Sequence, residues 1–207
     1  MKRIFTIALL AFFGLITHAQ VTFKPGIRAG VNFSHFTKGD KYDNGYYDTN
    51  GNYISVTNRD TYKAKSDFYL GFYGALHLAK RYTLQPEIDY SRQGAIYDGN
   101  NPANIANGRK KDISYLSIEI INKFLFSDKL NVHFGPTADF IVEKSDNIDT
   151  DSDLDLAFVF GLEYNFTKNL GIEARVKKGV IPVIDYSHDN HTNVVFSFGG
   201  TYTFDLK

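Results

Sequence analysis

Apolar and polar residues alternate along most of the chain with a period of two, the signature of strands whose faces meet different surroundings. Near the C-terminal end Val194, Phe196, Phe198, Gly200, Tyr202, Phe204 and Leu206 share one face, and Val195, Ser197, Gly199, Thr201, Thr203 and Asp205 share the other. The same parity runs through GIRAGVNFSHF, FYLGFYGALHLA, YTLQPEIDYS, LNVHFGPTADFIV and LGIEARVKKG, and most cleanly through the stretch from Leu154 to Phe166. YLSIEIINKFLF follows it less strictly, with Asn122 on the apolar side and Ile121 and Leu125 on the polar one. Together these segments predict eight strands.

The connections sort the possible folds. Tight turns are expected around residues 79–81, 127–129 and 167–169, while long polar segments follow Phe36, Gln93, Val142 and Gly179. Alternating short and long connections are a feature of outer-membrane barrels, with short periplasmic turns and longer external loops. The expectation is therefore an all-β chain, an eight-stranded antiparallel up-and-down transmembrane β-barrel with both termini periplasmic. Its apolar face would meet lipid. The polar face would line a lumen just wide enough for side chains, filled by the mutual pairing of Arg28, Glu87, Asp89, Glu119, Lys123, Asp139, Glu163, Glu173, Arg175 and Lys177, with Arg28, Glu87, Asp89, Glu119, Asp139, Arg175 and Lys177 as its charge network.

The N-terminus agrees with export. Lys2 and Arg3 precede an apolar run from Ile4 to Ile16 and small residues at Thr17 and Ala19, which predicts a signal peptide over 1–19 and a barrel domain over 20–207. The chain has no cysteine, so disulfides, thiolate metal sites and a lipidated cysteine are excluded together. A formal charge balance of zero gives no electrostatic case for nucleic acid. No phosphate loop, nucleophile elbow or metalloprotease motif is present, so no catalytic, cofactor-binding or metal residues are assigned. Outer-membrane lipid and lipopolysaccharide are the expected surroundings, and an envelope protein reached through the external loops is the expected partner class.

The final strand carries a further pattern. Ser197, Gly199, Tyr202 and Phe204 fall in the places of a polar residue, a glycine and two aromatics that resemble the signal read by the barrel-assembly machinery during insertion, with Leu206 and Lys207 following. In order, PGIRAGVNFS, LQPEIDYSRQGA, YLSIEIINKFLF and LNVHFGPTADF resemble successive blocks of the PorT-like outer-membrane β-barrel family, over essentially the whole mature chain. The sequence differs at Glu119-Ile120-Ile121, where that family usually has Glu-Ile-Pro, and in its long first loop. The resemblance implies a small, compact outer-membrane barrel. It leaves open a structural or loop-binding role and an accessory role in an envelope complex such as type IX protein secretion.

Local clusters suggest sharper chemistry, each beside a plainer reading. Asp149, Asp151, Asp153 and Asp155 could attract calcium or form a solvated acidic rim, but Leu154 and Phe160 stand where an EF-hand needs glycine and glutamate. Asp185, His188, Asp189 and His191 could bind a transition metal or simply line a polar loop. Gly108 to Lys111, GRKK, could touch lipopolysaccharide phosphates or form a solvated basic turn. A lipid A-modifying enzyme would need a nucleophile, a histidine and an acid at the outer rim, whereas His77 and His133 fall on the lumen face. Asn50-Gly51 predicts a type I′ hairpin tip in the tyrosine-rich first loop, extending the first two barrel strands.

Overall fold

The computed structural model describes residues 21–38, 41–59, 61–98, 108–145, 148, 152–181, 184–186 and 189–205. The expected signal peptide, the acidic residues Asp149 and Asp151, and His188, Leu206 and Lys207 lie outside the described residues, as do the side chains of Asp185 and Asp189. No helix among the described residues is long and apolar enough to cross a membrane.

The two-residue period is realised as one closed antiparallel barrel. Its strands are β1 (Thr22–Phe36), β4 (Tyr62–Ala79), β5 (Tyr82–Tyr97), β6 (Lys110–Leu125), β7 (Leu130–Lys144), β8 (Leu154–Asn165), β9 (Leu170–Gly179) and β12 (Asn193–Thr203). Around the wall the order is β1-β12-β9-β8-β7-β6-β5-β4, and β1 closes the ring by pairing with both β12 and β4. Closure leaves the sheet without an exposed edge, satisfying the backbone groups that lipid cannot.

Two small hairpins stand apart as their own sheets, β2 (Lys41–Tyr47) with β3 (Tyr53–Arg59) and β10 (Ile184–Tyr186) with β11 (Asp189–His191). The first was expected to prolong barrel strands, but it is a separate ribbon. Its tip also differs from the expected type I′ turn, which requires positive φ at two central residues. Only Gly51 is left-handed there, at φ 81°, and no non-glycine residue has positive φ among those described. The Asp48 side chain decides the geometry, because its Oδ1 accepts the N–H groups of Asn50 and Asn52, both at 2.8 Å. Gly51 N–H closes the turn on the Asp48 carbonyl at 3.0 Å.

The strands join through residues 80–81, 126–129 and 166–169 at one end and through long connections at the other. Thr22 and Thr203 both lie at the short-turn end. Parity holds around the wall: Phe158 and Phe160 are 52% and 54% exposed outside, whereas Ala157 and Val159, which alternate with them, are buried within. Ring pairs Tyr82–Phe124, Tyr164–Phe166 and Tyr202–Phe204, with centroids 5.1 to 5.4 Å apart, gird the short-turn end, in the manner of an interfacial aromatic belt. Asn122, the polar residue on this outer face, accepts a hydrogen bond from the Tyr82 hydroxyl at 2.8 Å.

Candidate functional site

The lumen is filled in layers. At mid-depth two arginines and four carboxylates form a buried belt. Arg28 on β1 binds Glu173 through Nε and Nη2 at 2.7 and 2.6 Å, reaches Glu87 at 3.1 Å, and contacts Asp89. Arg175 on β9 binds the same Glu87 and Glu173, and adds Glu119 at 3.1 Å. Each arginine thus bridges the two central glutamates and holds one further carboxylate of its own. Tyr69 tightens the belt, since its hydroxyl donates to Glu173 at 3.1 Å while its ring lies 4.5 Å beneath the Arg28 guanidinium. Buried charges are tolerated where geometry and hydrogen bonding compensate their lost hydration.

All seven residues assigned to a lumenal network are buried inside the barrel. Five of them, Arg28, Glu87, Asp89, Glu119 and Arg175, meet in the belt, while Lys177 and Asp139 form a separate pair at 2.5 Å. Two more residues complete the belt: Glu173, which shares the face of Arg175 two residues on and was expected among the lumen charges, and Tyr69, which was not.

Beyond the belt, toward the long loops, the interior narrows to a cavity of about 20 Å³, room for about one water. An apolar cap follows: Phe36, Ala95, Ile113, Tyr115 and Ile148 are fully buried, with Tyr62 and Ile141 packed against them. His191 closes the cap edge, its ring 5.0 Å from that of Tyr62 and its Nδ1 2.6 Å from the Thr37 carbonyl oxygen.

Toward the short turns the lumen opens instead into a vestibule of about 490 Å³. Its floor carries Lys123 paired with Glu163 at 2.6 Å. At the rim Lys24 meets Asp205 at 3.2 Å, and the Asp205 carboxylate is held below its ordinary range, first by its Asn169 hydrogen bond and then by Lys24.

The remaining candidates separate under this geometry. Asp155, read as part of a solvated acidic rim, faces inward and is buried, because its parity on β8 matches that of Ala157 and Val159. GRKK is not uniformly solvated either: Lys111 is buried with its ammonium 5.8 Å from the Tyr62 ring centroid, while Arg109 and Lys110 are exposed. His133 is buried and has no hydrogen-bond partner among the described residues, and His77 meets the Thr83 hydroxyl at 2.7 Å. Ser197 hydrogen-bonds Asn32 at 2.7 Å, Gly199 faces Gly30 on β1, and Tyr202 and Phe204 lie on the outer face.

A closed eight-stranded barrel with an apolar exterior, a polar filled interior and unequal ends defines an integral membrane β-barrel of the outer-membrane type. The chain belongs to the family described as outer membrane protein beta-barrel domain, whose model matches residues 5–204, and its place is the outer membrane. OprG from Pseudomonas aeruginosa has a similar fold, with a TM-score of 0.51 at 12% identity, covering 90% of this chain and 98% of OprG. AlkL, solved by solid-state NMR in DMPC bilayers, also gives 0.51, at 16% identity over 92% of this chain and 94% of AlkL. Ail of Yersinia pestis, the attachment invasion locus protein, aligns over 87% of this chain and 98% of its own at 13% identity and a TM-score of 0.44. The comparison with curated protein sequences gives no match.

Proposed function

We propose that the protein is a non-enzymatic outer-membrane barrel that presents its long-loop end, above all the β2–β3 hairpin, to a partner in the envelope or beyond it. The exposure of that hairpin carries the reading. Tyr47, Tyr53 and Tyr46 are 73%, 60% and 57% exposed, and tyrosine supplies large amphipathic contact area at small entropic cost. The filled lumen supports it by leaving little room for conduction. Among the described residues no histidine is hydrogen-bonded to a serine or a carboxylate, which favours binding over acyl-transfer chemistry.

In this reading the short turns and both termini are periplasmic, and Ser197, Gly199, Tyr202 and Phe204 serve insertion by the barrel-assembly machinery. The four sequence blocks that resemble PorT-like barrels become strands β1, β5, β6 and β7. They favour an accessory place in an envelope complex, such as protein secretion, as the context of the partner. Photo-crosslinkers at Tyr47 and Tyr53 in native membranes should capture a discrete partner, and the purified barrel in planar bilayers should be electrically silent. Stable single-channel conductance with no hairpin crosslink would replace this reading with a pore.

A further inference from the structure

The vestibule at the short-turn end is set apart from the rest of the lumen by its charge. Inside the belt carboxylates outnumber cations, but the vestibule is lined by Lys24, Lys80, Arg81, Lys123 and Lys168 against the single carboxylate of Glu163. Asp205 at the rim offsets one more cation through Lys24, so the mouth carries an excess of three positive charges. Lys123 and Lys24 have their ion-pair partners, whereas Lys80, Arg81 and Lys168 form no ion pair with another described residue. These three come from two different turns, residues 80–81 and 166–169, and converge on one opening.

Neutral donors complete the chamber. The Thr83 hydroxyl and the amides of Gln85, Asn131 and Asn165 line its wall. A cavity of about 490 Å³ lies within the size range of small-ligand sites, and low-dielectric walls around one sign of charge concentrate counter-ions. The base of the chamber is the buried Lys123–Glu163 pair, and the belt of salt bridges lies deeper in the lumen.

We propose that this mouth binds a small phosphate-bearing ligand, held by Lys80, Arg81 and Lys168 at the rim and by Lys123 and the amide and hydroxyl groups below. A phosphate monoester carries close to two negative charges at neutral pH and a phospholipid phosphodiester one, each with several acceptor oxygens, which matches converging point charges backed by neutral donors. The phosphate could be a phospholipid headgroup folded in from the adjoining leaflet or a soluble phosphate ester. The same site chemistry takes either.

The test uses the purified full-length barrel in nanodiscs of phosphatidylcholine alone or with phosphatidylglycerol, titrated with glycerol phosphate and followed by NMR shifts of the Asn131 and Asn165 amides and by calorimetry. Saturable binding is expected in phosphatidylcholine discs, weakening by about tenfold or more in the triple variant Lys80→Gln, Arg81→Gln, Lys168→Gln, on the scale of three partly screened ion pairs. These are turn residues, so the variant should keep the heat-modifiable mobility of the closed barrel. Competition by phosphatidylglycerol identifies the lipid headgroup as occupant, and undiminished binding in its presence identifies the soluble ester. Absence of saturable binding together with absence of any phosphatidylglycerol-dependent shift at these amides overturns the proposal, as does binding that survives the triple substitution unchanged.

Discussion

The Arg175 guanidinium grips the Glu87 carboxylate with two nitrogens, Nη1 to Oε2 at 2.7 Å and Nη2 to Oε1 at 2.9 Å. Strands β9 and β5 lie four places apart in a ring of eight, so this bidentate pair is a crossbar between opposite walls. Removing one member leaves an uncompensated buried charge. Arg175→Met should therefore destabilise the barrel by about 3 to 5 kcal/mol, read as a lower urea midpoint for refolded protein in detergent. Glu87→Gln together with Arg175→Met should recover part of that loss, because the pair leaves as a unit. Equal midpoints for the single and double variants would show that Glu173 and Glu119, not Glu87, hold Arg175 in place.

The two faces of β8 should respond oppositely to charge. Phe158→Arg puts a guanidinium on the lipid-facing side and should cost about 2 to 4 kcal/mol near mid-bilayer. Ala157→Ser, one residue away and inward, should leave the midpoint nearly unchanged, since the inner face already carries hydroxyls and amides. Urea titration of both variants, with heat-dependent electrophoretic mobility as the fold criterion, checks the assignment.

Parity in the sequence is enough to sort Phe158 from Val159, because a strand offers only two faces and the two solvents differ. It is not enough to pair Arg175 with Glu87. That contact depends on the stagger of strands around the closed ring, a property no single strand encodes. The apolar cap escaped for a related reason: Phe36, Ile113 and Tyr115 lie on the inward parity, but only closure brings them together. The hairpin tip was legible from Asn50-Gly51, whereas its turn type was not, because the Asp48 side chain competes for the same amides.

Gly30 and Gly199 face one another across β1 and β12, and a methyl at position 199 would run into the Ala29 carbonyl and the Tyr69 hydroxyl. Tyr69 uses the space they leave to reach Glu173 and lie under Arg28. Gly199→Ala should therefore cost about 1 to 3 kcal/mol by overpacking, even in protein refolded from urea without any assembly factor. Tyr69→Leu in the same background should lessen the loss. A Gly199→Ala protein that refolds normally in detergent but fails to assemble in cells would assign this glycine to the insertion signal alone.

The β2–β3 hairpin should be separable from the barrel and sensitive to acid at one residue. It is a two-stranded ribbon outside the closed sheet, and such ribbons are marginal on their own, so replacing residues 44–57 with a short Gly/Ser linker should leave heat-modifiable mobility intact. Within the hairpin, the Asp48 carboxylate is held below its ordinary range, first by the Asn52 backbone N–H, then by the Asn52 side chain and the neighbouring turn amides. A carboxylate with a lowered folded-state value contributes its order above the usual aspartate range near about pH 4 and loses it as pH falls through the folded value. Amide exchange at Asn50 and Asn52 should accordingly be slowed at neutral pH and accelerate relative to the barrel strands as acid is added. Asp48→Ala should show the faster relative exchange at every pH, while Asp48→Asn, which keeps an acceptor oxygen, should remove the pH dependence and retain part of the protection. If Asp48→Ala left exchange at Asn52 unchanged at neutral pH, the backbone turn closed by Gly51 would be sufficient by itself and the side-chain cap would have no part in presenting the tyrosines.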